Sequence, residues 1–93
     1  MEHSFLIHHA GDLVGVAVKD IPADQEVVGV EMDTGDVVKV VTRAPVLLGH
    51  KVALAEINKG DDVIKYGKRI GHATEPIKVG DHVHTHNLRS ARW

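Results

Sequence analysis

Histidine occupies every second position near the end of the chain, in the segment GDHVHTHNLRSARW (residues 80–93). Side chains of a β-strand alternate between its two faces, so His82, His84 and His86 are predicted to share one face. Neighbouring imidazoles would then lie ~6.6 Å apart and the outer two ~13 Å apart. Two adjacent imidazoles can bind one metal ion, whereas three on a straight strand cannot. The segment therefore predicts a His-x-His metal contact that needs a third ligand from elsewhere.

The candidates for that third ligand are His8, His9, His50 and His72. Imidazoles with open positions around the metal suit Zn²⁺ or Fe²⁺ acting as a Lewis acid. The same spacing also fits a solvated strand face, or imidazoles that are hydrogen-bonded within a polar subunit interface.

Other residues near these histidines could contact a small anion or move a proton. Asn87 and Arg89 supply an amide and a fork-shaped cation, which suits a carboxylate or sulfonate. His50 and Lys51 directly follow a glycine, so a ligand could approach closely and meet both a base and a cation. Tyr66 precedes a turn that ends in a histidine. The alternatives are a solvated arginine, an exposed turn lysine and a half-buried tyrosine ring.

The elements that position these residues are predicted to be β-strands. Valine and isoleucine dominate the apolar residues, and glycine or proline interrupts the chain too often for an amphipathic helix. In LVGVAVKDI, Val14, Val16 and Val18 are predicted to share one face, whereas the VVKVVT run around residues 37–41 predicts a strand buried on both faces. GHKVALAEI predicts a further strand, with a single helical turn over residues 51–59 as the alternative.

A short repeat organises the turns between strands. DIPADQEV (20–27), EINKGDDV (56–63) and PIKVGDHV (76–83) each place an isoleucine six residues before a valine. Gly60 and Gly80 occupy the position where a turn requires positive φ, and Asp24 tolerates that conformation in the first copy. Three similar turns predict short strands that fold back on one another, without a linker or a second domain.

Length and composition limit the class of protein. Ninety-three residues predict one domain over 1–93, too small to enclose a deep active site, so that chemistry would need a second chain. A net charge of −2 disfavours nucleic acid and anionic membranes as partners. The chain lacks cysteine, which excludes thiolate chemistry, and its N-terminus lacks the pattern of a signal peptide. We expect a cytoplasmic protein.

The motifs GHKVALAEI, GDDVIKYGKRIGHA and GDHVHTHNLRSARW, in this order, resemble the SAF-type β-clip domain that begins altronate and galactarate dehydratases. The chain is most similar to the stand-alone version of that domain, the small (alpha) subunits of (2R)-sulfolactate sulfo-lyases. The resemblance covers nearly the whole chain. It implies a small all-β domain of short strands with at most a helical turn.

The resemblance also implies a two-chain lyase that eliminates sulfite from sulfolactate and leaves pyruvate. A large (beta) subunit would supply the rest of the site, and the family is associated with iron (Fe²⁺), which either chain could hold. His84 and His86 would contact metal or substrate with His82 as support, and His50 or Lys51 would act as acid, base or anion contact. Asn87 and Arg89, together with Tyr66, would bind the substrate.

Other functions remain open at this level. The domain could belong to a sugar-acid dehydratase that eliminates water, or be a non-catalytic binding or assembly module. Without its partner, the isolated chain could form a homo-oligomer. A further alternative is an independent metal-binding protein.

Overall fold

The computed structural model describes residues 3–65 and 68–90, and every regular element in those ranges is a β-strand. The strands in chain order are β1 (Phe5–Ile7), β2 (Val14–Ala17), β3 (Glu26–Glu31), β4 (Val37–Val41), β5 (Lys51–Ala53), β6 (Asp62–Lys65), β7 (Lys68–Ala73), β8 (His82–Val83) and β9 (Leu88–Ser90). The all-β prediction is confirmed. These ranges contain no apolar helix of the length that a bilayer crossing requires.

The strands form two sheets. The large sheet has the order β4-β3-β1-β2-β5-β8, and the small sheet has the order β6-β7-β9. Only β1 and β3 pair in parallel among the described strands, whereas their neighbours pair antiparallel. Gly15 and Gly29 lie directly against the ring of Phe5, where a larger side chain would collide with it. The absence of a Cβ thus lets the one described aromatic ring enter an otherwise aliphatic interior.

Two aliphatic cores hold the sheets together. The first lies within the large sheet and its turns, and consists of Phe5, Ile7, Ala17, Ile21, Val27, Val40, Val46 and Val52. The second joins the large sheet to the small one, and consists of Val14, Ala53, Ile57, Val63, Ala73, Ile77 and Val83. β5 contributes to both, because adjacent residues Val52 and Ala53 point to opposite faces.

The predicted repeat is present, with a fourth copy that the sequence reading missed. We name the copies turn A (21–27), turn B (46–52), turn C (57–63) and turn D (77–83). Each begins and ends with an apolar residue that is at most 7% exposed. The fourth residue of each has positive φ: Asp24, Gly49, Gly60 and Gly80. The first residues pair as Ile21 with Val46 and Ile57 with Ile77, so turn A faces turn B and turn C faces turn D.

Turn B escaped the sequence reading because its interior is LLGHK, without the polar or acidic triplet of the other copies. Its glycine at the fourth position and valine at the seventh were the signals that could have found it. This copy matters for function, because it contains His50 and Lys51.

Two strand predictions were wrong in detail. β4 was predicted to be buried on both faces, yet Val37 is 60% and Val41 is 55% exposed. The reason is topological, since β4 is an edge strand on which Val38 and Val40 pack against the first core while Val37 and Val41 point away from it. In β2, Val14 is buried, but the strand ends at Ala17 and Val18 is exposed beyond it. The segment GHKVALAEI forms a strand as predicted, over the three residues of β5.

Candidate metal and substrate site

Three histidines meet where β5 pairs with β8. In the antiparallel register, Lys51 lies opposite Val83 and Val52 lies opposite His82. One step further, His50 precedes β5 and His84 follows β8, so their side chains come together on the face that His82 also occupies. His50 of turn B therefore lies next to His82 and His84, which the sequence predicted on one strand face.

The three rings are close enough to act together. His50 Nδ1 lies 2.8 Å from His82 Nε2, which is a hydrogen bond between imidazoles. The ring centroids of His50 and His84 are 4.3 Å apart, and those of His82 and His84 are 5.5 Å apart, both in stacked orientation. We call His50, His82 and His84 the histidine triad.

The segment that carries His84 and His86 is a turn, contrary to the predicted strand. β8 ends at Val83, and the N–H groups of Asn87 and Leu88 both donate to the carbonyl of His84, at 3.1 and 2.8 Å. The predicted ~13 Å spread is therefore lost, and the ring centroids of His82 and His86 lie 5.2 Å apart. The turn gathers rings that a straight strand would have separated.

Asn87 holds this turn in place. Its side chain is buried, its Oδ1 accepts a hydrogen bond from the His84 N–H at 2.9 Å, and its Nδ2 donates to the His82 carbonyl at 2.8 Å. The amide predicted to bind substrate is thus engaged with the backbone of two triad residues. In the structure it positions the histidines.

The environment of His82 and His84 favours neutral imidazoles. Burial lowers the pKa of His82 and is the largest cause, and the charges of the other imidazoles, first that of His50, lower it further. Burial is also the first cause of the lowered pKa of His84, followed by the charges of His50 and Lys51. A neutral imidazole is the form that binds a metal ion or accepts a proton.

The donor set of the triad fits a metal ion. One ring nitrogen from each of the three residues lies within 4.8 Å of the others. Two nitrogens bound to one zinc ion can be at most ~4.2 Å apart, so side-chain rotations of the partly exposed rings would close the site. Three imidazoles leave positions open for substrate or water, as a catalytic metal site requires. Metal binding would displace the proton between His50 and His82.

This set differs from the predicted ligands His82, His84 and His86. Among the described residues, His50 rather than His86 brings its nitrogen within reach of the other two. His86 lies against His82 at the rim of the site. Of the candidates for the third ligand, His9 contacts Asp33 at 3.3 Å and His72 lies on β7 in the small sheet.

Lys51 lies beside the triad on the opposite face of β5 from His50. Its side chain is half-buried, and burial followed by the charge of Lys65 lowers the pKa of Lys51. Its charge in turn acts on His84. The charge of Lys51 is therefore felt at His84, and its own proton is more easily lost than that of an exposed lysine.

An open cleft of about 280 Å³ borders the triad on the side of His86. It is lined by Ala44, Glu75, Pro76, Asp81, His82, His86 and Asn87. Asp81 forms a salt bridge of 3.6 Å with Arg43. The sequence reading did not single out Glu75 or Asp81, although Asp81 directly follows the glycine of turn D and precedes His82.

The remaining predicted contacts lie elsewhere or outside the described residues. Arg89 is exposed on β9, where its Cα partner is His72 on β7. Tyr66, predicted to bind substrate, lies outside the described residues.

Comparison with known proteins identifies the family of the chain. The sequence profile of the altronate/galactarate dehydratase SAF domain matches residues 3–91. The chain belongs to this SAF domain family. The resemblance inferred from the three sequence motifs is confirmed.

Relatives of this SAF domain occur both alone and within longer chains. It is 35% identical to the alpha subunit of (2R)-sulfolactate sulfo-lyase from Chromohalobacter salexigens, over all of both chains. It is 46% identical over 82 residues to altronate dehydratase from Escherichia coli and 36% identical over 89 residues to that from Bacillus subtilis. The matched part is 15% and 16% of those two dehydratases, respectively.

Proposed function

We propose that this SAF domain is the small subunit of a two-chain lyase that eliminates sulfite from (2R)-3-sulfolactate. The observation that carries the proposal is the match to a sulfo-lyase alpha subunit over the full length of both chains. The histidine triad beside Lys51 supports it, because the geometry supplies neutral bases, a metal-binding donor set and a cation. The proposed enzyme is cytoplasmic, as the cysteine-free and nearly charge-balanced sequence predicts.

The chemistry sets what the site must do. A base removes the proton on the carbon next to the carboxylate, the electron pair forms a carbon–carbon double bond, and the carbon–sulfur bond breaks to release sulfite. The enol product then becomes pyruvate. The reaction requires a positioned base, positive charge near the carboxylate, and stabilisation of the departing anion.

His50, His82 and His84 would hold the metal, which we propose to be Fe²⁺, with or without ligands from the large subunit. A bound Fe²⁺ would act as a Lewis acid for the charge that develops on the substrate. Asn87 keeps His82 and His84 in position through its two backbone hydrogen bonds.

Lys51 would serve at the same site as an anion contact or as the base. Its lowered pKa supports the base, since a half-buried lysine releases its proton more readily, whereas an anion contact would use its charged form. The two roles separate experimentally: Lys51→Arg retains a charge but cannot lose it. Activity retained in Lys51→Arg and lost in Lys51→Met would assign an anion contact, whereas loss in both assigns the base.

Reconstitution tests the function directly. The purified chain is mixed with the large lyase subunit from the same organism, Fe²⁺ and sulfolactate under anaerobic conditions, and sulfite and pyruvate are measured together. We expect equal release of both, and none when either chain is left out. Formation of a 2-keto-3-deoxy acid from altronate or galactarate instead would assign a dehydratase, and inactivity with every substrate would favour a binding module.

The triad is tested with the same assay. We expect His84→Ala to reduce turnover at least 100-fold, because it removes a metal-binding nitrogen next to Lys51. His9→Ala is the matched control, since the His9 ring contacts Asp33 and is not part of the triad. Full turnover by a correctly folded His84→Ala variant would remove the triad from the mechanism.

A further inference from the structure

Turn B presents two leucines to solvent directly before the triad. Leu47 is 53% and Leu48 is 62% exposed. The backbone of the turn is fixed: the His50 N–H donates to the Leu47 carbonyl and the Leu48 N–H donates to Asp20 Oδ1, each at 2.9 Å. Both leucines are therefore held outward on a rigid turn that also positions His50.

The other three copies of the turn show that the fold does not require leucine here. The equivalent pairs are Pro22-Ala23 in turn A, Asn58-Lys59 in turn C and Lys78-Val79 in turn D. All four copies share positive φ at the fourth residue and burial of the first and seventh residues. The same turn conformation forms with asparagine and lysine at these positions, so it does not require the two exposed leucines.

A third apolar side chain extends this surface. Val18 is 38% exposed. It directly follows Ala17, whose backbone N–H and carbonyl both form hydrogen bonds with turn B. The Gly49 N–H donates to the Ala17 carbonyl, and the Ala17 N–H donates to the His50 carbonyl, each at 2.9 Å. We call Val18, Leu47 and Leu48 the apolar tip. Single exposed apolar residues are ordinary, but a cluster of them beside a functional site indicates an interaction surface.

We propose that the apolar tip is the surface on which the large lyase subunit docks, and that docking there closes the histidine triad from solvent. The inference rests on the proposed function and specifies its partner surface. His50 and the leucines belong to one turn, so a chain seated on the tip necessarily borders the triad. In the altronate dehydratases the matched domain is 15–16% of the chain, so such a domain works next to a much larger protein part.

A second apolar surface provides the matched control. Val37 and Val41 are exposed on β4, the edge of the large sheet opposite to β8. β4 contributes no residue to the triad or to turn B, although the Val41 carbonyl approaches Gly80 of turn D. A partner seated on β4 would therefore border turn D rather than the turn that carries the two leucines and His50. The β4 edge is instead the surface by which a second copy of the chain would extend the sheet.

The test compares two double variants of the full chain. Leu47→Asn with Leu48→Lys installs the pair that turn C carries, and Val37→Thr with Val41→Thr changes the β4 edge while keeping β-branched residues. Affinity for the large lyase subunit is measured by titration calorimetry, and complex formation by size-exclusion chromatography. Zn²⁺ binding and thermal unfolding of each isolated variant confirm an intact triad and fold.

We expect the turn B variant to bind the large subunit about 100-fold more weakly or worse, and the β4 variant to bind like the wild type. Activity of the turn B variant should return at high concentrations of the chain, with the turnover number of the wild type. Unchanged affinity of the turn B variant, or loss only in the β4 variant, would overturn the docking surface. If tip substitutions abolish only self-association, the tip binds a second copy and the inference fails.

The inference and the proposed function fail in different ways. A wild-type chain that forms no complex with the large subunit overturns the shared site, and the docking surface with it. A wild-type complex that releases sulfite but is insensitive to the leucine substitutions overturns only the docking surface.

Discussion

His50 Nδ1 and His82 Nε2 form a hydrogen bond, which requires one ring nitrogen to carry a proton and the other to accept it. One ring donates and the other accepts, so the contact is lost when both rings carry two protons. Stacking with His84 brings a third imidazole into the same space. Burial, followed by the charges of neighbouring imidazoles, lowers the pKa of His82 and of His84, so these two rings favour the neutral form.

Acid should destabilise the metal-free chain through these rings. Free histidine titrates near pH 6.5, and the pKa values of His82 and His84 are lowered in the fold by burial and by the charges of His50, His86 and Lys51. Below about pH 7 the unfolded chain thus binds more protons than the folded chain, so the free energy of unfolding falls as pH falls. We expect urea unfolding in the presence of a chelator to show this loss between about pH 7 and pH 5.

His82→Gln should flatten that dependence, because the amide can still bond to His50 but does not titrate. His9→Gln is the control, since the His9 ring contacts the Asp33 carboxylate rather than an imidazole of the triad. An equally steep loss of stability in His82→Gln would assign the acid sensitivity to groups outside the triad.

Asn87 offers a test of positioning at a residue that does not touch the metal. Asn87→Ala removes two hydrogen bonds at a side chain that is 6% exposed, so we expect a loss of about 1–3 kcal/mol in the free energy of unfolding. Because the turn would relax, Zn²⁺ affinity should fall about 10-fold or more. Asn58→Ala, at an exposed asparagine in turn C, should change neither quantity. Unchanged Zn²⁺ affinity in Asn87→Ala would show that the turn keeps its conformation without the Asn87 side chain.

At the scale of elements, four equivalent turns serve different purposes. Each uses positive φ at its fourth residue to reverse the chain between buried apolar residues. Turn B contains His50, turn D contains His82 and His84 directly follows turn D. The pairing of β5 with β8 brings these residues together, whereas turns A and C carry no triad residue. All four copies of the repeat therefore serve the fold, and turns B and D also carry histidines of the triad.

Gly60 and Gly80 allow the energetic cost of positive φ to be distinguished from the cost of close packing. Gly60 and Gly80 have φ of 90° and 89°. An added Cβ at Gly60 meets no heavy atom within 4 Å, but at Gly80 it would collide with the carbonyl oxygen of Val41. We expect Gly60→Ala to lose ~1–2 kcal/mol of unfolding free energy, and Gly80→Ala to lose several kcal/mol more because backbone must move. Equal losses in urea unfolding would contradict the close approach of turn D to β4.

For the whole molecule, the triad joins parts of the chain that the cores hold separately. Turn B belongs to the first core and turn D to the second, and the site lies where their strands pair at the edge of the large sheet. A metal ion bound there would crosslink the two. It would stabilise the folded chain by its binding free energy, about 2.7 kcal/mol at a hundred times Kd.

Zinc is a suitable probe because it is redox-inert and accepts imidazole ligands. We expect saturating Zn²⁺ to raise Tm of the wild type on the order of 10 °C. His50→Ala should lose most of that increase, since it removes the ligand contributed by turn B, while His9→Ala should retain it. An identical increase in His50→Ala would exclude His50 as a ligand and leave the metal on the histidines of residues 82–86.

The sequence by itself determined the all-β class, three of the four turns and the residues able to bind metal, because these follow from local composition and from φ requirements within a few residues. It did not determine that β4 lies at an edge, since an apolar run reads the same whichever strands flank it. The strand predicted through His86 became a turn because the side chain of Asn87 bonds to backbone groups of His82 and His84. Of the four candidates for the third ligand, His50 was singled out only by the tertiary structure. The register of β5 against β8 joins residues about thirty positions apart, and that pairing depends on the packing of both cores rather than on any local pattern.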